Sequence, residues 1–394
     1  MHRLSQSPTD PAFVQDPYPF YARARASGDL VFWEEYGMVA ATTHAACNAI
    51  LRDRRFGREV PPEVSPDIPP HLQPFYDLEA HSMLELEPPR HTRLRGLVVR
   101  AFTTARINAL VPDIDAIAAQ LLAGIPDGPF DLLDALARPL PVTVIARLLG
   151  VPEDRTDDLL CWSNAMVGMY QAGRTRQMED EAVAATLAFR HWLEGVLADR
   201  RANPRADLLS HLIAAEEDDG DRLSSDELVA TIILLLNAGH EATVHTFGNG
   251  IKTILEQGLG TVTQDAARLP TLVEEVLRHD PPLHLFTRYA YEDIDLFGHS
   301  FRRGEQVACL LASANRDPEA FPDPDRFDPD RPVTTNASFG AGLHFCIGAP
   351  LARLELARTL PALFAACPGL RLVEPPRYAP VYHIHGLERL LVTR

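Results

Sequence analysis

Phe339-Gly340-Ala341-Gly342-Leu343-His344-Phe345-Cys346-Ile347-Gly348 runs directly into an apolar stretch, Ala349 to Leu363. Two glycines before the cysteine and one after it allow a tight turn with close backbone approach. The apolar stretch reads as a helix, so Cys346 sits at its start. Unpaired N–H groups and the positive end of the helix dipole stabilise a thiolate there. A thiolate that ligates iron favours cleavage of a bound O–O bond. The other cysteines, Cys47, Cys161, Cys309 and Cys367, are far apart and form no C-x-x-C pair or zinc spacing. They read as small buried apolar groups rather than a disulfide framework.

The loop resembles the haem-binding signature of the cytochrome P-450 family, F-x-x-G-x-x-x-C-x-G, at Phe339, Gly342, Cys346 and Gly348. The resemblance implies haem b (iron protoporphyrin IX) with Cys346 as axial iron ligand, Gly340 in the same loop, and His344 as a haem-propionate partner. Glu275-Val276-Leu277-Arg278 resembles the family's E-x-x-R. Glutamate and arginine three apart share a helical face. In the family this pair joins an arginine of a proline-rich coil, here Arg326 or Arg331, in a buried network that serves folding and haem retention. Glu87-Pro88-Pro89-Arg90-His91-Thr92-Arg93-Leu94-Arg95 resembles D-P-P-x-H-T-x-x-R, with Glu87 in place of aspartate. It implies that His91 and Arg95, one helical turn apart, hold haem propionates, a task that suits bidentate arginine. Arg288 resembles a third propionate partner. Asp16-Pro17-Tyr18-Pro19-Phe20-Tyr21 is similar to the usual bacterial N-terminus, so the likeness covers the whole chain in family order.

Ser225 to Glu256 reads as one long helix, opened by a capping box of Ser224 and Glu227. At 1.5 Å per residue it would be a rod near ~45 Å. Leu228 to Leu236 is apolar on all sides, which predicts burial. The middle then turns polar: Asn237-Ala238-Gly239-His240-Glu241-Ala242-Thr243. Glycine and ionisable groups inside a buried helix cost stability and point to a cavity or a reaction. The family pattern here is A-G-x-[D/E]-T, whose acid and threonine relay protons to oxygen. Glu241 supplies the acid, but Ala242 replaces the threonine. Thr243 follows, about 100° around the helix, and Thr246 lies one turn beyond Ala242. Three readings stay open: a substrate hydroxyl replaces the missing one, Thr243 or Thr246 substitutes, or the enzyme runs partly on peroxide. His240 and His245 read as ordinary hydrogen-bonded histidines.

Further helices are predicted at Ala105 to Leu122, Pro141 to Leu149, Glu179 to Ala202 and Leu269 to His279, from three-to-four apolar spacing. Strands are predicted at Leu30 to Trp33, Met38 to Ala41, Tyr289 to Ala290, Gln306 to Leu311 and Leu390 to Val392. The chain has 33 prolines, and some cluster at Asp16 to Pro19, Pro61 to Pro74 and Asp317 to Pro329, which read as ordered coil. The fold class is therefore mainly α with small β-sheets, in one domain over residues 1–394. The resemblance implies the cytochrome P-450 fold, with its long central helix over a buried haem.

The chain has 394 residues, 46% hydrophobic and 23% charged, and a formal charge of −17. That charge argues against a nucleic-acid partner. The most apolar run, Leu228 to Ala238, is too short to cross a bilayer, and the polar N-terminus lacks a signal core. The expectation is a cytoplasmic monomer with no membrane partner. No flavin or nicotinamide domain is evident, so the resemblance implies electrons from a ferredoxin with an NAD(P)H-dependent reductase. Arg93 and Arg100 share a helix face, roughly opposite His91 and Arg95, and are expected to form a basic docking patch. Substrate walls are expected, by resemblance, at Ala80 to Leu84, Trp162 to Met169, Leu234 to Ala242, Leu283 to Phe286 and Val381 to His385. They are mostly apolar with His81, His284, His383 and His385. The implied reaction is monooxygenation by dioxygen of a small or medium-sized hydrophobic substrate: hydroxylation, epoxidation or oxidative demethylation. The rival readings are a haem-thiolate peroxygenase or isomerase, and a non-catalytic haem-binding or docking protein.

Overall fold

The structure is a computed structural model, and it describes residues 1–214 and 223–394. The chain forms two compact units. One comprises Met1–Ser65, Leu122–Ala135 and His245–Arg394, and the other Pro66–Leu121 and Leu136–Val244.

The first unit carries a six-stranded sheet. Its order is His2–Leu4, Leu30–Trp33, Met38–Ala41, Gln306–Leu310, Leu285–Ala290 and Phe56–Gly57. Val39, Ala40 and Ala41 pair in parallel with Val307, Ala308 and Cys309, and that strand pairs antiparallel with Leu285–Ala290. Alternation along the strands sends side chains to two apolar clusters. Ala41, Val307 and Cys309 join Ile50, Phe56 and Phe301 on one face. Val31, Trp33, Ala308 and Leu310 join Phe13, Phe20 and Tyr21 on the other. Helices Leu269–His279 and Ala349–Ala366 belong to the same unit.

The second unit is helical apart from its connections. Its longest complete helix, Arg176–Ala202, buries Ala182, Ala185, Phe189, Leu193 and Leu197, an apolar stripe at three-to-four spacing. Trp162, on Thr156–Val167, packs its ring against Phe189 and Trp192, with centroids 5.1 and 5.9 Å away. Burying rings of this size contributes roughly 2–3 kcal/mol each.

The helix Ser225–Glu256 forms with the expected bounds. Its capping box closes both ways. The Glu227 amide donates to Ser224 Oγ at 3.2 Å, and the Ser224 amide donates to Glu227 Oε2 at 2.9 Å. Among the described residues it is also the helix long and apolar enough to cross a membrane, with mean hydropathy 1.3 over its best window. Its length thus exceeds the apolar run read from the sequence, but 67% of that window is buried inside the protein.

Two expectations need correction. The helix predicted over Ala105 to Leu122 is two, Thr104–Ala109 and Val111–Ala123. Pro112 has no N–H, and its ring would strike the carbonyl four residues back, so the first helix stops. Conversely, Tyr18 and Pro19, read as coil, open the helix Tyr18–Ser27, because Pro19 sits in the first turn, where a missing N–H costs nothing.

Candidate active site

In the first unit the cysteine loop is a run of short turns. The Gly340 amide donates to Ala337 O at 2.8 Å, the Phe345 amide to Gly342 O at 3.2 Å, and the Cys346 amide to Phe339 O at 3.0 Å. Gly342 has φ +69°, and a Cβ there would strike the carbonyl oxygen of Leu51, so both the dihedral and the space require glycine. The Cys346 sulfur is half-buried, two residues before the helix N-cap Gly348. A Cβ at Gly348 would sit 3.8 Å from that sulfur, in ordinary van der Waals contact. The loop is braced from its own unit. Arg353 lies 4.7 Å over the Phe339 ring and pairs with Glu274 at 2.5 Å.

Glu275 and Arg278 are each 2% exposed and meet through two parallel bonds of 2.7 Å. Of the two candidate third members, Arg331 is the one that joins, with Nε 3.2 Å from Glu275 Oε2. Arg326 contributes its carbonyl instead, accepting from Arg278 and Arg331. Arg278 also donates to the carbonyls of Asn315 and Pro324 at 2.8 Å. Helix and proline-rich coil are thus tied by fully paired charges, the condition for tolerating ions out of water. Arg288 is buried on Leu285–Ala290 and donates to Thr287 O at 2.7 Å, and His344 is half-buried in the cysteine loop.

In the second unit, His91 is buried and Arg95 half-buried on the helix Arg90–Ala101. Arg93 does not form an open surface charge. It pairs with Glu227, the capping-box glutamate, whose carboxyl lies below its usual range: burial opposes this, but Arg93 and the Ser224 amide outweigh it. Arg100 is exposed.

Along Ser225–Glu256, Leu234, Ala238 and Ala242 are accessible at four-residue spacing, while Leu235, Leu236, His240, Glu241 and Thr243 are buried. The position lacking the hydroxyl therefore lies on the accessible stripe, and Thr243 lies off it. Among the described residues Glu241 Oε1 has no hydrogen-bond partner, and it stands 3.6 Å from His240 Nε2. His240 Nδ1 is 2.7 Å from Leu236 O. Gly239 lets Ile145 approach: a Cβ would meet its Cγ1 at 2.5 Å.

Of the expected substrate walls, Leu283, Phe286, His383 and Ile384 are half-buried, whereas His284 and His385 turn into a buried polar cluster with Asp280, Tyr18, Tyr21, Tyr378 and Tyr382. Sequence reading missed this cluster and also the bond from Ser163 Oγ to Asn237 Oδ1 at 2.5 Å. Only the density of Tyr and His in the first and last segments hinted at the cluster.

A half-buried cysteine on a glycine turn, backed by a closed Glu-Arg-Arg clamp, defines a protein that holds a metal-bearing group by a thiolate. The family model of cytochrome P-450 matches residues 251–367. The chain is 39% identical to cytochrome P-450 monooxygenase PikC of Streptomyces venezuelae, covering 96% of this chain and 91% of that one. It is 38% identical to the vitamin D(3) 25-hydroxylase of Pseudonocardia autotrophica, covering 97% and 94%. A crystal structure of a cytochrome P-450 in complex with hexadec-9Z-enoic acid ligated acyl carrier protein superposes with TM-score 0.91 at 32% identity, over 97% of this chain and 99% of that chain. The chain belongs to the cytochrome P-450 family: it is a monooxygenase that binds haem through a cysteine thiolate and uses a small-molecule substrate, dioxygen and a redox partner. The residues fit that group, with a half-buried thiol at Cys346 in its glycine turn and, in the same unit, Arg288 and His344 as donors suited to carboxylates.

Proposed function

We propose that the chain, acting as one domain over residues 1–394, is a cytoplasmic, monomeric monooxygenase of medium-sized hydrophobic molecules that carry some oxygen. Its reaction is hydroxylation, epoxidation or oxidative demethylation. Electrons come from a ferredoxin with an NAD(P)H-dependent reductase. Cys346 is the axial ligand, with Phe339, Gly340 and Gly348 shaping its loop. His91, Arg95, Arg288 and His344 hold the propionates, and Glu275 and Arg278 hold the fold around them. When bound, haem with a thiolate ligand supplies the activation of dioxygen.

This chain's own residues then govern protons and water. Glu241 is the buried acid that delivers protons. Its neighbour His240, with Nε2 3.6 Å from the carboxylate oxygen, limits where that carboxyl turns. At Ala242 no hydroxyl orders the incoming water, and a hydroxyl on the substrate takes that part. The accessible stripe Leu234, Ala238 and Ala242 supports this, because a substrate lying along it reaches position 242 while Thr243 is buried.

The observation that carries the reading is the half-buried Cys346 placed in a glycine turn directly before the helix Ala349–Ala366. Its test is the spectrum of freshly reduced protein under carbon monoxide. The strongly red-shifted Soret band of a thiolate-ligated haem is expected in the wild type and absent in Cys346→Ser. A wild type showing only the band of a neutral-ligand haem overturns it.

Ala242 favours one rival, a peroxygenase in the same fold. Product formed with hydrogen peroxide alone, at the rate reached with ferredoxin and reductase, would establish it.

A further inference from the structure

Away from the cysteine loop, the first unit brings together Asp280, which ends the helix Leu269–His279, His284, just before the strand Leu285–Ala290, and His385, near the C-terminus. One ligand-type atom from each lies within 4.8 Å of the other two, and all three residues are buried. Asp280 Oδ1 and His385 Nε2 are 3.6 Å apart. That is too long for a hydrogen bond, yet close to the ~3.3 Å between two ligands that bind one tetrahedral ion through bonds of ~2.0–2.1 Å. Among the described residues, His284 Nε2 and both ring nitrogens of His385 have no hydrogen-bond partner. Leaving such atoms unmet in a dry interior is costly.

The surroundings are organised to hold these groups. Tyr21 Oη lies 2.8 Å from His284 Nδ1 and 2.8 Å from Tyr382 Oη, which leaves Nε2 as the ring's free face. Asp280 accepts from Tyr18 Oη at 2.6 Å on one oxygen and from the Tyr378 hydroxyl on the other. The Tyr378 ring stacks on His385 at 3.7 Å and 18°. The Asn249 amide donates to the carbonyls of Asp280 and His385 at 3.1 and 2.9 Å, clamping the two backbones together. Metal-binding histidines and carboxylates are oriented by such second contacts.

We propose that Asp280, His284 and His385 bind a divalent transition-metal ion of zinc's class, which clips the end of one helix, the start of a strand and the C-terminal segment together. The ligand set is one carboxylate oxygen and two imidazole nitrogens. It suits zinc and its neighbours rather than calcium or magnesium, which take oxygen shells. The ion would also neutralise the buried Asp280 carboxylate.

The test uses untagged holoenzyme, loaded with zinc sulfate and then desalted, with zinc and haem iron measured together. One zinc per chain is expected in the wild type. Its loss is expected in both His284→Gln and His385→Gln, with the haem spectrum retained. Tyr21→Phe keeps the three ligands and should hold zinc more weakly. If a ligand variant does not fold, the wild type decides: its melting temperature should rise with zinc over a chelated sample, as binding to the folded state alone requires. Less than about a tenth of a zinc per chain after loading, zinc that persists in both ligand variants, or a melting temperature indifferent to zinc overturns the proposal.

Discussion

Glu275 receives two arginines on one carboxylate: Arg278 through parallel 2.7 Å bonds from three residues along its own helix, and Arg331 at 3.2 Å from the proline-rich coil. The Asp328 amide adds a further bond at 2.8 Å to Oε1. Removing the carboxylate strands two guanidinium groups, Arg278 at 2% exposure among them, with their charges unmatched. Breaking a buried pair from one side costs about 3–5 kcal/mol. Glu275→Gln should therefore lower the unfolding free energy measured in denaturant by that amount and yield protein with little haem. Arg331→Lys keeps a charge near Glu275 but loses the carbonyl contacts to Pro322 and Asp323, and should cost less than Glu275→Gln.

Glu355 is a buried acid of the opposite kind. It lies on Ala349–Ala366, and neither carboxyl oxygen has a hydrogen-bond partner among the described residues. Burial pushes its carboxyl well above the usual carboxylate range. In the unfolded chain it ionises near its ordinary 4.5, so above that pH the folded state binds the extra proton. The contribution is full below 4.5 and is lost as pH rises toward the raised folded value, at about 1.4 kcal/mol per pH unit. Glu355→Gln removes this titration. Relative to wild type, the variant should gain stability as pH rises from 5 toward 7, measured by denaturant unfolding in matched buffers. An unchanging difference across that range would mean Glu355 is ionised in the fold.

Where local pattern and tertiary packing agreed, the sequence sufficed. Ser225–Glu256 has matching bounds because the Ser224–Glu227 box marks its start and its apolar run demands burial. The choice between Arg326 and Arg331 was beyond the sequence. Both lie in the same coil, and only its path decides which offers a side chain and which a carbonyl. Proline misled in both directions: Pro112 splits a helix while Pro19 opens one, and the difference is position within the first turn. The family resemblance alone sets His284 and His385 among the pocket walls. Their partners Tyr21 and Asp280 are distant in sequence or lie on another element, so no spacing reveals them.

Arg93 and Arg100 share a face in the sequence reading but not a role in the structure. Arg93 is paired to Glu227 at the start of the long helix, and Arg100 is exposed. Arg93→Glu should destabilise the protein, since it sets two carboxylates together. The loss is about 1–3 kcal/mol, read by thermal unfolding, with no specific effect on reduction in the surviving fold. Arg100→Glu should leave the melting temperature within error and slow reduction by an acidic ferredoxin, most at low salt. Equal salt dependence in wild type and Arg100→Glu would remove Arg100 from the docking surface.

Ala242 sits on the accessible stripe with Ala238 and Leu234, whereas Thr243 is buried. If a hydroxyl on the substrate orders water in place of the absent side chain, coupling depends on the substrate rather than on the protein. Wild type should then convert most NAD(P)H into product with a hydroxylated substrate. With an analogue lacking that hydroxyl it should release peroxide instead. Ala242→Thr should leave the first case unchanged and rescue the second, raising the ratio of product to NAD(P)H several-fold. Glu241→Gln should depress turnover with both substrates, because it removes the acid itself and acts by ~10²–10⁴-fold, the usual range for a positioned proton donor. A large gain in coupling by Ala242→Thr with the hydroxylated substrate would show that the native relay was defective rather than substrate-completed.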